Sequence, residues 1–157
     1  MKIDDPVVLE FLQRSMVARI ATLSRNGRPS VNPLYFISLH DRIWLGTAAW
    51  TLAARNVKAD PRVSVLFEVE QDASEHRVLR ISGRASVQTD PKIIRINNQR
   101  TARKYMLNFG GISNSLAHLR RLWPMHNYHA QSAEKGLPCI IEVIPEQVEF
   151  LNDDQRS

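Results

Sequence analysis

The stretch "ARIATLSRNGRPSVNPLYFISLHDRIWLGT", Ala18 to Thr47, decides the fold. Its first part, with Val17 before it, is rich in β-formers and leads into "RNGRP", whose Asn26-Gly27 pair is a strong short-range mark of a tight hairpin. The next run, "SVNPLYFISL", reads as a second strand interrupted by Pro33. A proline cannot donate to a ladder, so this one belongs at an edge or a bulge. "HDR" at 40 to 42 reads as another turn and "IWLGT" as a third strand, giving three strands in an antiparallel meander.

Working outward, "DDPVVLEFLQRS" places Val7, Val8, Phe11 and Leu12 at the spacing of a short amphipathic helix that starts at a proline. After the meander, Thr51 to Ala59 turns helical, with Leu52, Arg55 and Lys58 at helical spacing, and Asp60-Pro61 stops it. "RVSVLFEVE" and "HRVLRISGRASVQ" read as two further strands, and "DPKIIRINNQRTARKYML" as a helix with an Asp-Pro start. An irregular stretch holding "NFGG" and "WPMHNYH" follows, and "PCIIEVIPEQVEFL" supplies one or two strands around Pro145. About six strands joined mostly by hairpins, with short helices, predict a mainly β antiparallel barrel in one domain, residues 1–157.

Composition narrows the function classes. The chain has 157 residues and a net charge of +5, which helps an anionic ligand approach without identifying it. The basic residues are scattered apart from a denser group at Arg95 to Lys104, so no nucleic-acid partner is expected. Cys139 is the only cysteine, which excludes an intrachain disulfide and a cysteine-built zinc site; a buried packing role is expected for it. The N-terminus does not read as a secretion signal and no apolar run approaches 18 residues, so a cytoplasmic chain with no membrane partner is the expectation. There is no internal repeat, no "GxGxxG" and no phosphate-loop motif, which argues against a doubly wound nucleotide fold.

The order of the opening stretch, then "NVKADPRVSVLF", then "RVLRISGRASV", resembles the pyridoxamine 5′-phosphate oxidase-like flavin-binding split β-barrels, including their deazaflavin-dependent relatives. The resemblance is strongest over residues 10 to 90 and looser at the final strand. It implies a homodimer of six-stranded Greek-key barrels with flavin mononucleotide (FMN) in a groove between the subunits. The strand after the Asn-Gly turn would lie along the flavin, which points to Val31, Asn32, Pro33 and Leu34. The end of the third strand and the start of the helix would hold the phosphate, which points to Thr47 and Thr51, since hydroxyls and free amides at a helix N-terminus suit an anion. Trp50 stands at the lip of that ligand site, placed to stack on a ring, whereas Trp44 is expected in the core.

The departure from the family pattern is as informative. Members commonly carry a hydroxyl, any residue, then lysine; here the run is Thr51, Leu52, Ala53. A charge-assisted bond of the missing kind contributes about 1.5–3 kcal/mol, or tenfold or more in affinity. Arg55, one turn beyond Thr51, is the candidate replacement, with Arg28 and Lys58 as further candidates.

Hydride chemistry on a flavin needs little acid–base machinery from the protein, so no catalytic residue is assigned. Trp123, His126, Tyr128 and His129 in "WPMHNYH" are expected to shape a small-molecule substrate pocket. His126 and His129 form an i, i+3 pair without a nearby acid, a weak metal pattern, and no metal site is expected. Three functional readings stand: an FMN-dependent oxidoreductase acting on a small organic substrate, a deazaflavin-dependent reductase whose coenzyme carries an acidic tail, and a non-enzymatic flavin- or haem-binding dimer. Gly83 is expected to permit a bulge or close packing.

Overall fold

The computed structural model describes residues 1–108 and 137–151. Helix α1, Pro6–Arg14, begins at a proline whose fixed φ and missing N–H cost nothing in a first turn. It buries Val8, Phe11 and Leu12, while Val7 stays exposed. Strands β1 (Ala18–Leu23), β2 (Pro29–Leu34), β3 (Phe36–Ser38) and β4 (Ile43–Ala48) follow. Helix α2 (Leu52–Ala59), strands β5 (Arg62–Phe67) and β6 (Val78–Gln88), helix α3 (Pro91–Asn108) and strand β7 (Pro138–Leu151) complete the described chain.

All strand pairs are antiparallel, in the order β2-β1-β5-β6-β7-β4-β3. The two ends of that order, β2 and β3, are separated in sequence by Tyr35 alone, so the sheet curls until its edges are successive halves of one bent strand. This is why seven strands stand where six were expected: the run read as one strand pairs first with β1 and then, beyond Tyr35, with β4. After the meander, β5 returns to lie beside β1, which makes a Greek key.

Three local features refine the sequence reading. The loop after β1 is not a two-residue Asn-Gly turn. Gly27 N–H donates to Ser24 O (2.9 Å), Ser24 N–H donates to Arg28 O (2.9 Å), and only Gly27 takes a positive φ, of 78°. That is a type I turn closed by a left-handed glycine, so Asn26 keeps an ordinary conformation. Starting from the Ser24–Arg28 bond, hydrogen-bonded pairs fall on alternate positions, leaving Pro29 and Pro33 at non-hydrogen-bonded sites. Their missing N–H groups therefore face the outer edge of β2, where a proline does no harm to the ladder. Finally, β7 runs unbroken through Pro145, because Ser82 pairs with Gln147 and Gly83 with Pro145, leaving Glu146 as a bulge.

The main core joins α1 to the barrel interior through Phe11, Ile20, Phe36, Leu45, Phe67 and Ile141. Ala53 and Val57 of α2 enter the same cluster. Outside the barrel wall, Ile37, Trp44 and Ile140 form a second cluster, over which α3 lays Ile93 and Ile94. Trp44 is buried as expected, its Nε1–H donating to Glu142 Oε2 at 2.7 Å.

Candidate functional site

The turn from β4 into α2 brings Thr47 and Thr51 together, their hydroxyl oxygens 3.0 Å apart and both residues buried. Thr51 is the N-cap of α2: its oxygen accepts from Ala54 N–H (3.4 Å), and its hydroxyl donates to Ala48 O (2.9 Å). A hydroxyl has one proton. With that of Thr51 given to Ala48, Thr47 is the donor in the Thr47–Thr51 bond, and both protons are engaged within the protein. With the Ala54 N–H already capped by Thr51, the donors left for an anion are the Leu52 and Ala53 amides in the first turn of α2, which have no intrahelical acceptor, and whatever cation stands nearby.

Ala53, at the position where the family pattern has lysine, is only 2% exposed and packs into the main core. Arg55, by contrast, is exposed, and among the described residues its guanidinium forms no hydrogen bond or ion pair. Arg28 and Lys58 are likewise exposed and without an ion pair among the described residues. This sets them apart from Arg14, Arg42, Arg62, Arg77 and Arg80, each held by a carboxylate. Helix α2 carries no acid in its first turn, and Lys58 in its last. Its dipole and charge both favour an anion near its start.

On β2 the four residues read as a flavin wall divide between two faces. Val31 (60% exposed) and Pro33 point outward with Pro29, whereas Asn32 and Leu34 alternate to the other side. Leu34 packs against the main core, and Asn32 Oδ1 accepts from the Ser30 hydroxyl at 3.2 Å. A flat ring on the outward face would meet the side chains of Val31 and Pro33. Trp50 sits at the turn into α2, 40% exposed. Trp123, His126, Tyr128 and His129 lie outside the described residues. Cys139 is buried opposite Thr47 in the β4–β7 ladder, and burial pushes its thiol pKa up.

Sequence reasoning passed over two polar groupings. Asn56 is buried and its Nδ2–H donates to the equally buried Thr22 hydroxyl (3.0 Å), pinning α2 against β1. The signal was there in a polar residue directly beside Val57 on the apolar face of α2. The second grouping docks α3. The Tyr105 hydroxyl donates to Met16 O and accepts from Phe36 N–H (3.4 Å). Beside it the Lys104 ammonium stands 3.4 Å from the centre of the Phe36 ring and 3.1 Å from Leu12 O. Burial lowers the Lys104 pKa to about 7, with Glu70 opposing that shift.

The curled sheet, the Greek-key return and the helix across the β4–β5 connection define a split β-barrel. The family model for pyridoxamine 5′-phosphate oxidase matches residues 5–152, and the chain belongs to that family. Similar solved structures share the fold at low identity. A conserved hypothetical protein of Mycobacterium tuberculosis is 18% identical with a TM-score of 0.68, over 94% of this chain and 84% of that one. An F420 reductase is 19% identical (TM-score 0.61, 89% of this chain and 94% of that one). A haem storage protein of Vibrio cholerae is 18% identical (TM-score 0.58, 96% and 94%). No curated protein matches the sequence. Among the described residues no helix is long and apolar enough to cross a membrane.

Proposed function

We propose that the chain is a flavin-dependent oxidoreductase that works as a homodimer and holds FMN between its subunits, exchanging hydride with a small organic substrate. The observation that carries this reading is the start of α2: a capped helix N-terminus with no acid in its first turn, and one turn on an exposed Arg55 that has no ion pair among the described residues. The residues fit a phosphate by a different route from the common family pattern. First-turn amides of α2 and the Arg55 guanidinium supply the donors, while Thr47 and Thr51 keep the turn in shape. Val31 and Pro33 offer the flat apolar support that an isoalloxazine ring needs. When bound, the flavin supplies the hydride chemistry; the protein's part is to orient the ring and exclude water.

A second reading, a deazaflavin-dependent reductase, draws support from the buried Ala53 and from the fold shared with an F420 reductase. Titration of the stripped protein with FMN and, in parallel, with the deazaflavin coenzyme separates the two. FMN binding at micromolar or tighter affinity supports the first reading, and preference for the deazaflavin supports the second. Binding of haem alone sinks both. Arg55→Ala is expected to weaken FMN binding about tenfold, the loss of one charge-assisted contact, with the fold intact because Arg55 is exposed. Unchanged affinity would remove Arg55 from the site.

A further inference from the structure

Helix α3 has a face that neither the barrel nor the proposed cofactor site uses. Along its 18 residues there is no Asp or Glu. The side turned to the barrel carries Ile93, Ile94, Asn97, Thr101, Lys104 and Tyr105, all buried or half-buried. The opposite side carries four exposed cations, Lys92, Arg95, Arg100 and Arg103, spread over a helix about 27 Å long. None of the four has an ion pair among the described residues. The same side carries three exposed apolar side chains, Ile96 (41%) among the cations and Met106 (73%) and Leu107 (71%) one turn beyond Arg103.

Four like charges on one helix face repel one another, and large apolar side chains in water forgo burial. Both costs are relieved together by a surface that is anionic outside and apolar just beneath. We propose that this face of α3 is a docking surface for an anionic lipid bilayer: the cations engage headgroup phosphates while Ile96, Met106 and Leu107 enter the headgroup–acyl boundary. The chemistry is that of an interfacial helix lying in the membrane plane, not of a spanning one. Nucleic acid would satisfy the cations but leaves three aliphatic side chains without a role, and among the described residues the face offers no aromatic ring for base stacking.

The test is co-sedimentation of the full-length protein with phosphatidylcholine vesicles, with and without 30% phosphatidylglycerol (about one lipid in three, for the surface potential that attracts basic segments), at low and high salt. Binding is expected only to the anionic vesicles and is expected to fall with salt. Arg100→Glu with Arg103→Glu is expected to reduce it at least tenfold, since each basic group near such a surface contributes roughly a factor of five. Met106→Ser with Leu107→Ser is expected to weaken vesicle binding while leaving its salt dependence in place. All four positions are exposed, and an unchanged far-ultraviolet circular dichroism spectrum establishes that the variants fold. The proposal is overturned if the protein stays in the supernatant with anionic vesicles. It is also overturned if the serine variant binds vesicles as the parent does, or if duplex DNA binds the parent more tightly than the vesicles and the serine variant binds DNA unchanged.

Discussion

At Gly83 a single hydrogen in place of a methyl group lets two strands meet. A Cβ built there would stand 2.1 Å from Ile144 O and 3.1 Å from Glu146 N, both backbone atoms at the bulge of β7, which cannot swing away as a long side chain would. Gly83→Ala is expected to destabilise the fold by about 3 kcal/mol, the upper end of overpacking costs, read as a lowered denaturant midpoint. A loss below about 0.5 kcal/mol would mean the bulge relaxes freely. The sequence allowed a bulge or close packing at this glycine, and the structure contains both. The hydroxyls of Thr47 and Thr51 teach the reverse lesson. The family resemblance pointed to both as phosphate-holding hydroxyls at the start of a helix, but not to each giving its proton to the protein. Proton counting needs the positions of Ala48 O and Ala54 N, which no spacing rule supplies.

Helix α3 is the element whose role depends most on what it packs against. Its hydrophobic periodicity is weak, and its contact with the barrel relies on Tyr105 bonding Met16 and on the Lys104 ammonium over Phe36 as much as on Ile93 and Ile94. Lys104 has its pKa lowered from 10.5 to about 7 by burial; the charged group facing it is Glu70, with Tyr105 and Tyr35 alongside. Between pH 7 and about 10.5 the unfolded chain holds a proton that the folded one has released, so stability rises with pH across that window. Below pH 7 this group's penalty is complete and constant. The Tm is therefore expected to climb between pH 7 and 9.5, and Lys104→Met is expected to flatten that climb. An unaltered slope in the variant would assign the pH dependence to another group. A sequence shows that a lysine lies on a helix; whether its ammonium meets water or a phenyl ring is settled by the neighbouring elements.

Across the whole molecule, the outward face of β2 sets the expected assembly. Pro29, Val31 and Pro33 are exposed together, and the two prolines leave the outer edge of the strand short of N–H donors, so an association there would use side-chain packing more than strand addition. In the proposed homodimer this face meets the partner subunit. Val31→Arg is expected to shift the protein from dimer to monomer in sedimentation velocity without altering its fold, because Val31 makes no part of the core. A dimer that persists in the variant would place the interface elsewhere. Dimer loss accompanied by loss of flavin affinity would tie the assembly to the cofactor site.

What the sequence by itself determined was the order and kind of the elements. β-forming runs between turn signals marked the strands, Pro6 and Thr51 marked helix starts, Asp60-Pro61 marked a stop, and their succession predicted an antiparallel barrel, whose Greek-key order the family resemblance implied. These are local signals, written in which face of each segment is apolar and where the backbone must turn. The tertiary structure alone decided that the strand around Tyr35 changes partners and closes the sheet, and that of β2's two alternating faces it is Val31's, not Asn32's, that is turned outward. It also decided that Ala53 is enclosed while Arg55 is left in water. The reason is physical: burial and hydrogen-bond partnership belong to pairs of elements distant in sequence, and they come into being only when those elements meet.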